Sequence, residues 1–150
     1  MDYFDPLAAP FWLTVGTALL CGTIIGVERQ LRGKPAGVRT SILICLSTAV
    51  FIHIGEGANS GAGDPTRVLG QVVTGVGFLG GGVIMTREGA VLGVTTAAVI
   101  WILAATGAAI GLGNYLGAVA LALITVGVLT GVELLETSVR WLARGIYSRD

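Results

Sequence analysis

Between Gly89 and Val132 the chain runs for 44 residues without an Asp, Glu, Lys or Arg. Three shorter runs share the property: Pro6–Val27 (22 residues), Thr40–Gly55 (16) and Val68–Thr86 (19). Together the four occupy 101 of the 150 residues. An apolar helix of about 20 residues crosses a bilayer core roughly 30 Å thick, so this length supplies about five crossings. Charged residues make up 12% of the chain and mean hydropathy is +0.83, whereas a soluble domain is about a quarter charged. An ordinary soluble domain is excluded. The expectation is an all-α polytopic membrane protein, one domain over residues 1–150, folded as a compact bundle of about five helices in a lipid bilayer.

As one helix the 44-residue run would extend about 66 Å, roughly twice the hydrocarbon core, so it must fold back. Gly111-Leu112-Gly113-Asn114 has turn composition and supplies the break. Helices are therefore expected at 7–27, 38–55, 68–86, 91–112 and 115–135, with an amphipathic tail over 136–150. Cytoplasmic segments carry the excess of Lys and Arg. With the N-terminus outside and the C-terminus inside, Arg29, Arg32, Lys34, Arg39, Arg87, Arg140, Arg144 and Arg149 fall within, and Arg67 alone falls outside. The acidic start (Asp2, Asp5) is unlike a cleavable signal, which opens with positive charge, so the first run is expected to stay as an anchor.

A net charge of zero argues against nucleic acid, which requires a basic patch. No Ser, Cys or His stands in a nucleophile-and-base arrangement, so the expectation is a non-enzymatic protein without a cofactor. His53, Glu56 and Asp64 could gather a cation such as Mg²⁺ at the outer face, a weak signal. Cys21 and Cys45 lie inside uncharged runs, and a disulfide between them is not expected.

Twenty-four glycines recur at small-xxx-small spacing: Ala18/Gly22/Gly26, Gly77/Gly81, Gly107/Gly111 and Gly127/Gly131. In lipid, helices associate through close backbone approach at small residues, so these are read as packing faces. A leftover glycine face would serve a homo-oligomer. Gly75-Val76-Gly77-Phe78-Leu79-Gly80 matches GxGxxG, but a dinucleotide site needs a preceding strand and a following acidic residue, and position 100 is Ile100.

Two constellations carry functional readings. Gly80, Gly81 and Gly82 together weaken a span, and a tight hairpin brings Thr95 and Thr96 to matching depth. Either the glycines admit a neighbouring helix, or the stretch forms an intramembrane polar site exposing carbonyls to ions. The second constellation is charged: Glu28, Arg29 and Gln30 end one helix, Arg39 and Thr40 begin the next, and Arg87 and Glu88 form an inner turn. Either they pin the bundle, or they form a docking face or the mouth of an ion site. In the docking reading Glu28 anchors Arg39 or Arg87.

Gly26-Val-Glu-Arg-Gln-Leu-Arg-Gly-Lys-Pro-Ala-Gly-Val-Arg-Thr40, Gly77-Phe-Leu-Gly-Gly-Gly-Val-Ile84, Arg87-Glu-Gly89 and Thr95-Thr-Ala-Ala-Val-Ile-Trp101 together resemble the MgtC/SapB family of bacterial inner-membrane proteins. The resemblance is to the short, SapB-like form without a soluble C-terminal domain. The virulence-associated branch carries Asn at the position of Thr95 and Cys at that of Ile102. The resemblance implies magnesium or ion homeostasis through a membrane partner, by analogy the ATP synthase or an ion transporter. It marks Glu28, Arg29, Gln30, Arg39, Thr40, Arg87, Glu88, Thr96 and Trp101. A small ion channel or transporter using the Gly80–Gly82 and Thr95–Thr96 site is the alternative; a lipid-binding scaffold is a third.

Overall fold

A computed structural model describes residues 5–58 and 66–138, with side chains over 5–55 and 66–135. The elements run α1 (Ala9–Leu31), α2 (Val38–Ala58), α3 (Thr66–Gly82), β1 (Met85–Arg87), β2 (Ala90–Leu92), α4 (Val94–Gly111) and α5 (Tyr115–Ser138). Among the described residues four helices are long and apolar enough to cross a membrane: Ala9–Leu31, Val38–Gly55, Val94–Gly111 and Tyr115–Leu135. The 17 residues of α3 reach about 25 Å, short of the roughly 30 Å core, so the expected third crossing is the weakest of the five.

Turn chemistry explains the helix ends. Gly33 (φ 62°) and Gly113 (φ 77°) follow the last turns of α1 and α4 in the left-handed region. After α1, Lys34 N–H donates to Arg29 O (2.9 Å) and Gly33 N–H to Gln30 O (3.1 Å); after α4, Asn114 and Gly113 repeat the pattern onto Ala109 O and Ile110 O. Both are glycine-terminated caps that satisfy the final carbonyls. Asn114 then starts α5, its Oδ1 accepting the Gly117 N–H at 3.0 Å, as an N-cap does. The fold-back expected at 111–114 is where the chain turns.

The segment between α3 and α4 departs from expectation. Instead of two helices meeting at a tight turn, α3 stops at Gly82 and α4 begins at Val94, with an antiparallel hairpin between them. Three consecutive glycines remove the incentive to continue the helix, so they end the span instead of interrupting it. Glu88 (φ 52°) and Gly89 (φ 80°) form the two-residue loop, whose positive φ angles match the twist of the flanking strands. Gly93 (φ 90°) lies so close to Val83 that a Cβ would collide with its carbonyl oxygen. Gly93→Val is expected to cost about 2–3 kcal/mol through clash and backbone strain. Thermal unfolding in detergent measures it, and a midpoint equal to wild type would contradict it.

The core joins α1, α2, α4 and α5 through Ala18, Cys21, Ile25, Cys45, Ala49, Leu103, Ile110, Ala118 and Ala122, all fully buried. α4 is the central helix, with eleven of its eighteen residues buried, whereas α3 contributes only Val76 and Gly80. Glycines bring α1 and α4 against successive turns of α2. A Cβ at Gly22 would stand 2.5 Å from Ile42 Cα, one at Gly26 2.5 Å from Val38 Cα, and one at Gly107 2.5 Å from Cys45 O. Two of the small-residue faces thus pack as expected. At Gly127 and Gly131 a Cβ would meet nothing within 4 Å. Both cysteines are free and buried. Trp101 is half exposed, its indole against Gly80.

Candidate functional site

The charged site grows from the last turns of α1. This helix continues past Val27, so Glu28 and Arg29 sit inside it, 7% and 3% exposed. Gly26 lets α2 approach within backbone contact, which covers this end of α1. Burial of ions at such a place requires compensation, because an unpaired charge out of water costs several kcal/mol.

That compensation comes from two charges on α1, a third on the residue that caps it, a fourth on α5, and one hydroxyl on α4. Arg29 Nη2 donates to Thr96 Oγ1 at 3.1 Å, tying α1 to the first turn of α4. Arg29 Nη1 lies 4.0 Å from Glu28 Oε2, and Arg32 Nε lies 2.6 Å from Glu28 Oε1. Arg32 Nη1 in turn pairs with Glu133 on α5. The network of Glu28, Arg29, Arg32 and Glu133 is neutral overall. Arg32 reaches Glu28 out of line, so neither Glu28 oxygen nor Arg29 Nε has a hydrogen-bond partner among the described residues. The carboxylate is therefore held by charge more than by directed bonds.

The structure separates the other expected members from this buried centre. Glu28 pairs with Arg29 and Arg32, not with Arg39 or Arg87 as expected. Gln30 is exposed, its Oε1 accepting the Val38 N–H at 3.4 Å and closing the turn into α2. Arg39 and Thr40 are exposed on the first turn of α2. Arg87 and Glu88 are exposed at the hairpin tip, 4.0 Å apart. Because Arg29 reaches Thr96, the end of α1 and the start of α4 share one level. The α1–α2 turn and the hairpin therefore occupy the same end of the bundle, as the charged corners require.

The proposed intramembrane site does not assemble as one unit. Gly80 is buried against Trp101 and Ala97, while Gly81 and Gly82 are exposed at the end of α3. Thr95 faces a groove between α4 and α5, whereas Thr96 turns inward to Arg29. Successive helical residues point about 100° apart, so two neighbouring hydroxyls cannot serve one site. Thr96 belongs instead to the charged site.

Two members of the network, Arg32 and Glu133, were not singled out from sequence. The i,i+4 spacing of Glu28 and Arg32 was a usable signal. So was the place of Glu133 as the first charge after 44 uncharged residues. At the end of the bundle opposite the charged corners, His53 Nδ1 lies 3.5 Å from Gly111 O; Asp64 and the Glu56 side chain lie outside the described residues. Among the described residues no group of three His, Cys, Asp or Glu side chains is placed to hold a metal.

Comparison with known proteins follows this geometry. The chain is 46% identical over 105 residues to the Escherichia coli K12 protein named "Putative magnesium transporter YhiD", covering 65% of this chain and 48% of that protein. It is 41% identical over 118 residues to "Protein MgtC" of Salmonella typhimurium LT2, covering 79% of this chain and 50% of that one. A Haemophilus influenzae protein of no assigned role is 38% identical over 136 residues, or 85% of this chain and 56% of the relative. The chain thus spans about half the length of the curated relatives it matches. No solved structure matches it. The sequence profile of the MgtC family matches residues 15–138, a stretch that contains the whole network from Glu28 to Glu133: this membrane protein belongs to the MgtC family.

Proposed function

We propose that the protein supports magnesium handling in the bacterial inner membrane by docking a membrane protein partner at the end of the bundle that carries the charged corners. The N-terminus lies outside and the C-terminus inside, following the Lys and Arg bias. The observation that carries the reading is the division of labour at this end. Glu28, Arg29, Arg32 and Thr96 are engaged with one another within the chain, while Arg39 and Arg87 remain exposed on the α1–α2 side and the hairpin. The buried set fixes the helix ends; the exposed arginines are free to meet an acidic partner segment. Exposed cations steer association and set specificity.

The test is an Arg39→Ala/Arg87→Ala variant. Both side chains are exposed, so stability should change by no more than about 0.5 kcal/mol, while the co-purified membrane partner falls at least tenfold and growth support at low Mg²⁺ is lost. Equal capture by wild type and variant overturns the docking reading. The transporter reading takes its support from the printed name of the Escherichia coli relative. Mg²⁺ flux into liposomes containing this protein alone would replace docking with transport.

A further inference from the structure

From the end of the bundle opposite the charged corners, α2 and α3 diverge. They touch where Gly55 abuts Val68, a Cβ at Gly55 standing 2.6 Å from the Val68 side chain. Beyond that contact they leave a groove of about 550 Å³, within the range of ligand sites. Its walls are mostly aliphatic and aromatic, among them Ile44, Phe51, Val72 and Leu79. Phe51 and Leu79 are 59% and 50% exposed, so the groove is continuous with the lipid-facing surface.

Ser47 and Thr48 also line it along α2, the Ser47 hydroxyl donating to Leu43 O at 2.7 Å within the helix, and one further polar side chain stands at the narrow end. Gln71 lines the groove one turn in from the Gly55–Val68 contact, and its amide bonds to no described residue. An amide facing hydrocarbon without a partner is costly. Arg67 stands four residues earlier, on the same face of α3, and is exposed. From Val68 to Leu79 the groove spans eleven helical steps, about 16 Å, or roughly half of the 30 Å hydrocarbon core. A cation, then an amide, then one leaflet's depth of mostly apolar wall follow the order of phosphate, ester and acyl chain in a glycerophospholipid.

We propose that this groove holds one acyl chain of a glycerophospholipid, its ester carbonyl accepting from the Gln71 amide and its phosphate meeting Arg67. The site is separate from the docking end and independent of that reading. Gly75 lines the groove, and a Cβ there meets nothing within 4 Å, so Gly75→Leu fills the space without touching the packed core. The protein is reconstituted in vesicles of phosphatidylethanolamine and phosphatidylglycerol, extracted in mild detergent, and its bound phospholipid counted by native mass spectrometry. Wild type should retain one phospholipid per chain, and so should Gly127→Leu on α5, where the space is also open. Gly75→Leu should retain at least fivefold less, and Arg67→Ala/Gln71→Leu should lose lipid similarly. The double variant decides the matter by the same count if Gly75→Leu does not fold. Equal retention in wild type and the groove variants overturns the proposal. A wild-type dimer that Gly75→Leu dissociates, with lipid count unchanged, also overturns it by placing a second copy in the groove.

Discussion

Glu28→Leu is expected to destabilise the protein by about 3–5 kcal/mol, because it leaves Arg29 buried without its acidic neighbour. Arg29 is 3% exposed and keeps only the neutral Thr96 hydroxyl as a partner. Glu28→Leu/Arg29→Leu should recover much of the loss, since removing a buried ion pair entirely is often neutral when apolar groups fill its volume. Arg32 then retains Glu133. Denaturation in mixed micelles reads both variants. If the single variant unfolds within about 1 kcal/mol of wild type, the network is not the clamp described here.

The second large effect concerns the contact between α2 and α4. At Gly107 a Cβ would stand 2.5 Å from the Cys45 carbonyl oxygen and 2.8 Å from Thr48 Cβ, and backbone cannot rotate away as a flexible side chain would. Gly107→Leu must push the two helices apart, and the cost should reach about 3 kcal/mol or more. Gly131→Leu on α5 is the control: a Cβ there meets nothing within 4 Å, and its stability should stay within about 0.5 kcal/mol of wild type. If both leucine variants behave alike, the glycine faces are not what sets helix approach.

Much of the architecture was legible because hydrocarbon is a severe solvent. A backbone that must satisfy its own hydrogen bonds forms helices, so uncharged runs read directly as spans. The fold-back near Gly113 was visible for the same reason: glycine takes a positive φ at low cost where a helix must stop. The hairpin was less legible. Val83–Met85 and Ala90–Leu92 are short apolar runs on either side of Thr86–Gly89, and an apolar run this short suits either a helix end or a strand. The decision came from Gly80–Gly82 ending α3 and Gly93 admitting the Val83 carbonyl.

Sequence alone determined that this chain enters a bilayer, where its helices begin and end to within a turn or so, and a set of small-residue faces from which the close helix contacts are drawn. Each follows from composition and local spacing, acting over a few residues. Tertiary structure alone decided which charges meet. Arg29 found Thr96 across 67 positions, and Arg32 met Glu133 on α5 across about a hundred. Thr95 and Thr96, adjacent in the chain, parted to opposite surroundings. Such pairings depend on the rotation and depth of whole helices against one another, and no local property of the chain encodes them.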